Sequence, residues 1–132
     1  MIAIGIDPGK RGAIVGLSPQ GAAVRLLSSV YAGSDVVPAL LVAALYDVRE
    51  SLGNGTAYVG VENQQAMPRQ GVASTFRLGA NFGRICGVVE SLGWSVEYFR
   101  PREWRKRAGI TIPRGGDPKA ATIAAVSARL PE

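Results

Sequence analysis

The first 29 residues constrain the fold more than any other part of the chain. Three short apolar or alternating runs occupy residues 2–7, 12–17 and 22–29, and the segments Asp-Pro-Gly-Lys-Arg and Ser-Pro-Gln-Gly separate them. Short runs divided by turn-forming residues are typical of strands joined by tight connections. The sequence therefore predicts a three-stranded antiparallel meander at the start of the chain.

A helix and a strand are predicted after the meander. Apolar residues recur at helical spacing over residues 36–52, and Ser34 or Asp35 is the expected cap of this helix. Residues 56–62 are predominantly apolar and predict a fourth strand.

The remaining elements complete an α/β fold. The sequence predicts a second helix over residues 74–92, capped by Ser74 or Thr75, a fifth strand over 95–99, a short helix from Pro101 to about Lys106, and a final helix from Asp117 to about Leu130. This order predicts a single domain over residues 1–132, with a five-stranded mixed sheet flanked by helices.

The second predicted helix contains an unusual repeat of glycine. Gly79, Gly83 and Gly87 recur every four residues along one helix face. Each costs about 1 kcal/mol relative to alanine in a helix interior. We therefore expect another backbone to approach this face closely and offset the cost.

The composition excludes several kinds of protein. The chain is 47% hydrophobic and 19% charged, as in globular proteins, and no apolar run approaches the roughly 18 residues of a membrane span. The single cysteine, Cys86, excludes an internal disulfide, and the lack of histidine excludes a Cys/His zinc site. No targeting segment is expected, and the predicted location is the cytoplasm. Any metal is expected to be a hard ion such as Mg²⁺ or Mn²⁺, held by carboxylates.

The net charge of +5 lies in the last quarter of the chain. Residues 1–99 contain seven Lys and Arg and seven Asp and Glu, whereas residues 100–132 contain eight and three. A stretch without acids also contains Arg69, Arg77 and Arg84. Basic tails are often simply solvated, but two basic clusters favour a polyanionic partner, most simply nucleic acid.

Two of the predicted strands end on an acid. Asp7 follows the first apolar run, directly before Pro8-Gly9, and Glu62 ends the fourth strand. Asp7 could be only a turn residue, and Glu62 could cap the loop that follows it. If the two strands are parallel neighbours, both carboxylates emerge at one edge of the sheet, where they can share divalent ions and activate water at a phosphodiester. We therefore predict a metal site at Asp7 and Glu62.

Three segments of the chain resemble a known family. GIDPGKRGAIVG, VGVENQQAMPRQGVASTFRLGANFGRICGVVESLG and YFRPREWRKRAGI follow one another as in the RuvC-type Holliday junction resolvases of the RNase H-like superfamily. The loop Met67-Pro68-Arg69-Gln70-Gly71 and the glycine-spaced helix are most similar to the phage-encoded branch. The resemblance implies an RNase H-like fold and an Mg²⁺-dependent endonuclease that acts as a homodimer. Its substrate would be four-way DNA junctions in recombination and repair, in the host cytoplasm if the gene belongs to a bacteriophage.

The resemblance also implies roles for individual residues. Asp7 and Glu62 match the first two metal-binding acids of a site for two Mg²⁺ ions, in which Mn²⁺ can substitute. Residues 63–73 match the loop that approaches the junction crossover, and the helix of Gly79, Gly83 and Gly87 matches the central helix near the dimer interface. The expected DNA contacts are Lys10, Arg69, Gln70, Arg77, Arg105, Lys106, Arg107, Arg114 and Lys119.

The chain departs from the family pattern at two places. Some members have an aromatic wedge three residues after the glutamate, but this chain has Gln65, so any wedge has to come from elsewhere, such as Met67. The family also completes its metal site with one or two carboxylates on a terminal helix. Here the sequence ends at Leu-Pro-Glu, and Asp117 has the position of a helix-start residue. We therefore expect weak metal binding and slow or absent cleavage by residues 1–132.

Three explanations of the missing acids stay open. The chain could be truncated before its final helix, the remainder could be omitted from the sequence, or the protein could be a natural module that binds branched DNA without cutting it. A further alternative is a YqgF-like nuclease that processes ribosomal RNA, whose opening resembles residues 7–12, without support after residue 60. The actin-like ATPase fold begins with a similar strand and acid but needs a second phosphate motif and a far longer chain.

Overall fold

The computed structural model describes residues 1–129, so Leu130, the expected end of the final helix, lies outside the described residues. Strands β1 (Ile2–Ile6), β2 (Ala13–Ser18) and β3 (Gly21–Leu26) form two consecutive antiparallel pairs. In β1 the isoleucines are buried and the small residues between them are exposed, which is the period of two that a half-buried strand requires. The predicted meander is confirmed.

The third strand ends earlier than predicted. A 3₁₀-helix (Leu27–Val30), anchored by its two buried apolar residues, replaces the expected strand end at residue 29. A hairpin that the sequence did not indicate follows, formed by β4 (Tyr31–Ala32) and β5 (Asp35–Val36). Gly33 turns this hairpin at a φ of 62°, a conformation that glycine adopts without steric cost.

The predicted caps of the first helix, α1 (Pro38–Ser51), are wrong. Ser34 and Asp35 lie in the hairpin, and α1 follows Val37 without a side-chain cap. Proline at the first helical position compensates, because it lacks the N–H group that a cap would otherwise satisfy.

The five-stranded sheet is confirmed. Strand β6 (Ala57–Glu62) lies parallel to β1, and β7 (Ser95–Phe99) lies beside β6, which gives the strand order β3-β2-β1-β6-β7. Helix α2 (Val72–Ser91) connects β6 and β7. The predicted caps of α2, Ser74 and Thr75, are wrong, because the helix already begins after Gly71.

The core lies between one face of the sheet and helices α1 and α2. Its buried side chains include Ile2, Ile4, Ile6, Ile14, Val59 and Val61 from the strands and Leu41, Leu45, Val48, Ile85 and Val89 from the helices. Gly16 lets α1 approach this face, because a Cβ there would lie 2.5 Å from Val48 Cγ1 and 2.6 Å from Leu52 Cδ1. On the opposite face, Val15, Leu17, Val24 and Leu26 are exposed.

The chain divides into two compact units, Met1–Tyr98 and the residues from Phe99 onward. The second unit contains the two predicted helices, α3 (Pro101–Arg107) and α4 (Pro118–Ser127). Asp117 caps α4 as predicted, since its Oδ1 accepts a hydrogen bond of 3.0 Å from the backbone N–H of Lys119. In the part of the chain that the structure describes, no helix is long and apolar enough to cross a membrane.

Candidate metal and nucleic-acid site

Asp7 and Glu62 lie side by side at the ends of two neighbouring parallel strands, β1 and β6. β1 and β6 pair in register up to Ile6 with Val61, so the next residue of each strand is an acid. Adjacent strands lie about 4.8 Å apart, and paired residues of parallel strands project to the same face. The alternation places both acids on the face opposite the core, where Asp7 is exposed and Glu62 is half-buried. The structure thus brings together the two acids that the sequence singled out.

Two glycines shape the turn that follows Asp7. The backbone N–H of Asp7 donates to the carbonyl of Ala13 at 3.0 Å, and that of Gly12 donates to the carbonyl of Gly9 at 3.0 Å. Gly9 has a φ of 129°, which residues with a side chain rarely adopt. At Gly12, a Cβ would lie only 1.9 Å from the carbonyl oxygen of Asp7. Close backbone packing therefore sets the position of Asp7.

The donor set suits a hard cation. Mg²⁺ prefers oxygen ligands and is commonly held by one or two carboxylates together with water and substrate phosphates. Asp7 and Glu62 supply two such carboxylates at one edge of the sheet. Within residues 1–129, no three His, Cys, Asp or Glu side chains are grouped in a way that could hold a metal. Two carboxylates are thus a donor set that suits Mg²⁺, which commonly keeps several of its waters.

The loop between β6 and α2 is tied at both ends. Near its start, Gln64 Nε2 donates to the carbonyl of Pro8 at 2.5 Å, which joins the loop to the turn after β1. Near its end, Gln70 accepts from the backbone N–H of Met67 at 3.1 Å and donates to Ser74 Oγ at 3.0 Å. Gln70, a predicted DNA contact, is thus also a structural element of the loop.

Exposed apolar side chains lie at the end of this loop and at the start of α2. The exposed fractions are 69% for Met67, 89% for Val72 and 79% for Phe76. The sequence pattern indicates Met67 as a candidate wedge but does not single out Val72 or Phe76. Their four-residue spacing puts them on one face of α2, and Phe76 is half a turn away from the buried Ile85 in angle. An apolar residue on the helix face opposite the core is the sequence signal that indicates an exposed Phe76.

The glycine face of α2 is open to solvent. At Gly79, Gly83 and Gly87, a Cβ would meet no atom within 4 Å. The close approach of another backbone that the sequence predicts therefore does not occur within the described chain. Val72 and Phe76 continue the same helix face toward its N-terminus, so no other part of residues 1–129 packs against the glycine positions of this face.

Basic residues of the first unit differ in how they are held. Lys10 Nζ donates to the carbonyl of Gly33 at 2.7 Å, which connects the turn after β1 to the β4–β5 hairpin. Arg84 donates to Asn81 Oδ1 at 3.1 Å and lies 3.6 Å from a carboxylate oxygen of Asp35. The predicted DNA contacts Arg69 and Arg77 are exposed, and Arg69 adopts a left-handed backbone with a φ of 64°.

Asn81 holds the hairpin against α2. It is 7% exposed, and its Oδ1 accepts from the backbone N–H of Val36 at 2.9 Å. Its Nδ2 donates to the carbonyl of Ser34 at 2.8 Å. A buried amide with both ends paired stabilises its surroundings, because an unpaired polar group in the interior is costly.

Four of the eight basic residues of the second unit lie on α3. The guanidinium carbon of Arg105 lies 5.5 Å from the centre of the Trp104 ring, and that of Arg107 lies 5.1 Å from the centre of the Phe99 ring. Such cation–π contacts hold the guanidinium groups in place without neutralising their charge. The other predicted contacts of this unit, Lys106, Arg114 and Lys119, are exposed.

A polar cluster joins α2 to β7. The Tyr98 hydroxyl donates to the Glu90 carboxylate, and burial raises the pKa of Tyr98 above its usual 10.0. Burial also raises the pKa of the Cys86 thiol, which the Tyr98 hydroxyl contacts. Cys86 is therefore protonated at neutral pH, as expected of a cysteine without a reactive role.

Comparisons with known proteins place the chain by its fold. No protein-family model and no curated protein matches it. Among solved structures, the RuvC of T. thermophilus in complex with Holliday junction substrate is similar, with a TM-score of 0.53 and 16% sequence identity. That match covers 80% of this chain and 68% of the RuvC chain. A Thermus thermophilus RuvC structure has a TM-score of 0.44 and 18% identity, over 76% of this chain and 64% of that one.

The match thus spans about two thirds of the length of these RuvC chains. The resemblance to the phage-encoded branch stays a prediction, since the similarity found is to the RuvC of T. thermophilus. The strand order, the two parallel central strands and the flanking helices agree with the similarity to RuvC. The chain therefore has a RuvC-like fold of the RNase H-like class.

Proposed function

We propose that this chain is the nuclease domain of a structure-selective DNA endonuclease that resolves four-way junctions. The observation that carries the proposal is that Asp7 and Glu62 each come one residue after the last paired position of β1 and β6, at one edge of a RuvC-like sheet. The exposed basic residues of the second unit supply charge complementary to phosphates. The similar RuvC structure, which holds a Holliday junction substrate, supports the same class of ligand.

The carboxylates of Asp7 and Glu62 would hold Mg²⁺, or Mn²⁺ in its place, as part of a site for two such ions. When bound, the metal lowers the pKa of a coordinated water and stabilises charge on the phosphate. The residues of this chain supply the framework. Strand β1 and its glycine turn orient Asp7 before the substrate arrives, while β6 fixes Glu62 beside it.

Shape and charge would govern substrate recognition. Lys119 and residues 102–107 would contact phosphates, which position a nucleic acid without reading its sequence. Met67 and Phe76 would pack against bases that are exposed where strands separate, because aromatic and apolar side chains stack on bases irrespective of sequence. A junction is defined by its shape, so base-specific contacts need not dominate.

The glycine face of α2 would form the contact of a homodimer. Gly79, Gly83 and Gly87 are exposed, with space where side chains would stand. Three glycines weaken a helix by about 1 kcal/mol each relative to alanine, and a second copy packed against them would offset that loss.

A binding module without cleavage activity is the second candidate. The observation in its favour is that residues 1–129 contain no group of three potential metal ligands. With two carboxylates, metal binding should be weak and hydrolysis slow, whereas binding to branched DNA depends on the basic and apolar surfaces.

Binding and nicking assays on matched substrates test the proposal. A four-way DNA junction, a linear duplex and a structured RNA are compared with and without Mg²⁺ or Mn²⁺. The variants are Asp7→Asn and Glu62→Gln, and Glu50→Gln on the exposed side of α1 is the matched control. We expect preferential binding to the four-way junction, together with slow metal-dependent nicking that both site variants abolish and the control retains.

The assay separates the candidates. Selective junction binding without nicking in either metal would identify a binding module. Cleavage of RNA in preference to the junction would favour an RNA-processing nuclease, and equal binding to all three substrates would overturn junction recognition.

A further inference from the structure

We infer that Gln64 is a positioning residue for Asp7, holding the turn after β1 so that the carboxylates of Asp7 and Glu62 stay side by side. This inference rests on the proposed function, because it assumes that the two acids act as one site. In this role Gln64 needs no contact with a carboxylate or with a substrate atom. It acts through the backbone of Pro8, the residue next to Asp7.

The contact lies where the sheet stops supporting the two acids. The pairing of β1 with β6 extends only to Ile6 with Val61, so Asp7 and Glu62 stand one residue beyond the last paired position. Past that point, Gln64 Nε2 donates to the Pro8 carbonyl at 2.5 Å. This hydrogen bond continues the connection between the two strands after the ladder has ended.

The surroundings of the hydrogen bond favour a specific role. Pro8 is buried, and its carbonyl would lose its side-chain donor if Gln64 were shortened. An unpaired carbonyl in such a position is costly, so the turn would rearrange to reach water. Gly9 packs against the same amide, since a Cβ there would lie 3.6 Å from Gln64 Nε2. A shift of this turn would move Asp7, which immediately precedes Pro8.

A different role for Gln64 predicts the opposite response to one substitution. If Gln64 were a direct metal ligand, Gln64→Glu would add a negative charge and strengthen metal binding. If Gln64 positions Asp7, the same change replaces a donor by a carboxylate that cannot donate to the Pro8 carbonyl. Metal binding would then weaken, although the site has gained a charge.

The test measures metal binding directly. Mn²⁺ is titrated into the isotope-labelled chain, and paramagnetic broadening of the Asp7 and Glu62 amide signals reports binding at the site. The variants are Gln64→Ala and Gln64→Glu. Ser18→Ala is the matched control, because Ser18 Oγ donates to the carbonyl of Leu52 at 3.2 Å and ties a loop at the opposite end of the sheet. Thermal unfolding of every variant is recorded as well.

We expect both Gln64 variants to bind Mn²⁺ about tenfold more weakly, the effect typical of losing a group that orients a metal ligand. The Ser18 control should retain its affinity even where its unfolding temperature falls equally. Unchanged broadening in Gln64→Ala, or tighter binding in Gln64→Glu, would overturn the positioning role and leave the proposed function standing. Absence of broadening in the unmodified chain up to millimolar Mn²⁺ would overturn the metal site itself, and the role of Gln64 with it.

Discussion

The position of Asp7 depends on a residue five places further along the chain. Gly12 packs its Cα against the carbonyl of Asp7, and a Cβ at this position would lie 1.9 Å from that oxygen. A backbone oxygen cannot move aside as the end of a flexible side chain can. The turn therefore tolerates no side chain at position 12, and the acid and the glycine belong to one local structure.

Gly12→Ala is expected to lower the free energy of unfolding by roughly 1–3 kcal/mol, as overpacking of a tight contact does. Chemical denaturation followed by circular dichroism measures the change. Gly5→Ala is the matched control, because a Cβ there would lie 4.0 Å from its nearest neighbour, the carbonyl of Val15. Equal effects of the two substitutions would contradict this account of the turn.

Helix α2 has two faces with opposite characters. One face packs Ile85 and Val89 into the core, and the other exposes Phe76 and the three glycines. Each glycine thus lowers the stability of the helix by about 1 kcal/mol relative to alanine, on a surface that nothing covers within the described chain. Substitutions on this surface can separate its two proposed uses, which are homodimer contact and base stacking.

Gly83→Leu tests the homodimer. No atom lies within 4 Å of the added Cβ, so the substitution should raise the stability of the isolated chain by about 1 kcal/mol through helix propensity. The same side chain would block close helix packing between copies. Sedimentation equilibrium should therefore show fewer dimers, whereas Ala43→Leu, at an exposed position of α1, should leave the association unchanged. A monomeric unmodified chain would contradict the proposed interface.

Phe76→Ala tests base stacking. We expect the affinity for a four-way junction to fall by roughly five- to a hundredfold, which corresponds to about 1–3 kcal/mol for one base on an aromatic side chain. Fluorescence anisotropy measures the affinity, and sedimentation shows whether the dimer persists. Leu40→Ala, at an exposed apolar position of α1, is the control. Loss of the dimer with unchanged DNA binding per dimer would assign Phe76 to the protein interface instead.

The contact between α2 and β7 predicts that the folded chain loses stability at alkaline pH. Burial raises the pKa of Tyr98 above 10.0, so folding favours the neutral phenol. This contribution is fully present below pH 10.0 and is lost as the pH rises toward the folded-state pKa. Thermal unfolding of Tyr98→Phe should accordingly show a shallower decline above pH 10.0 than the unmodified chain. Burial also raises the pKa of Tyr31, so part of the decline in stability should remain in this variant. An unchanged slope of stability against pH would refute the assignment to Tyr98.

For the whole molecule, the distribution of charge predicts how binding responds to salt. The first 99 residues are neutral, and the excess of basic residues follows them. Each phosphate neutralised by the protein adds about 0.9 to the slope of log affinity against log salt on duplex DNA. Junction binding is therefore expected to weaken steeply as the salt concentration rises.

Lys106→Ala and Lys119→Ala should each remove about one phosphate contact and so reduce the magnitude of that slope by about 0.9. Arg25→Ala is the control, because the Arg25 guanidinium is already paired with Asp47. Titrations at several salt concentrations measure the slopes. A slope unaffected by the lysines but reduced by the Arg25 substitution would place the DNA on the first unit.

Much of this architecture follows from the sequence, because each sheet strand is a short apolar run between turn residues. The 3₁₀-helix and the β4–β5 hairpin could not be predicted, since a two-residue strand has no periodicity. The hairpin also displaced the expected caps of α1, Ser34 and Asp35. For the site, adjacent parallel strands brought Asp7 and Glu62 together. The tie through Gln64 could not be predicted, because it depends on where one side chain points across two loops.

Asn81 imitates a missing peptide group. Its side-chain oxygen accepts from the Val36 N–H, and its side-chain nitrogen donates to the Ser34 carbonyl. The backbone of an adjoining strand would offer the hairpin the same acceptor and donor. A leucine in its place would leave both backbone groups unpaired, and a glutamine would reach too far. Natural variation at the two elements should thus be linked: relatives that have lost the hairpin are free to change Asn81, and relatives that keep it are not.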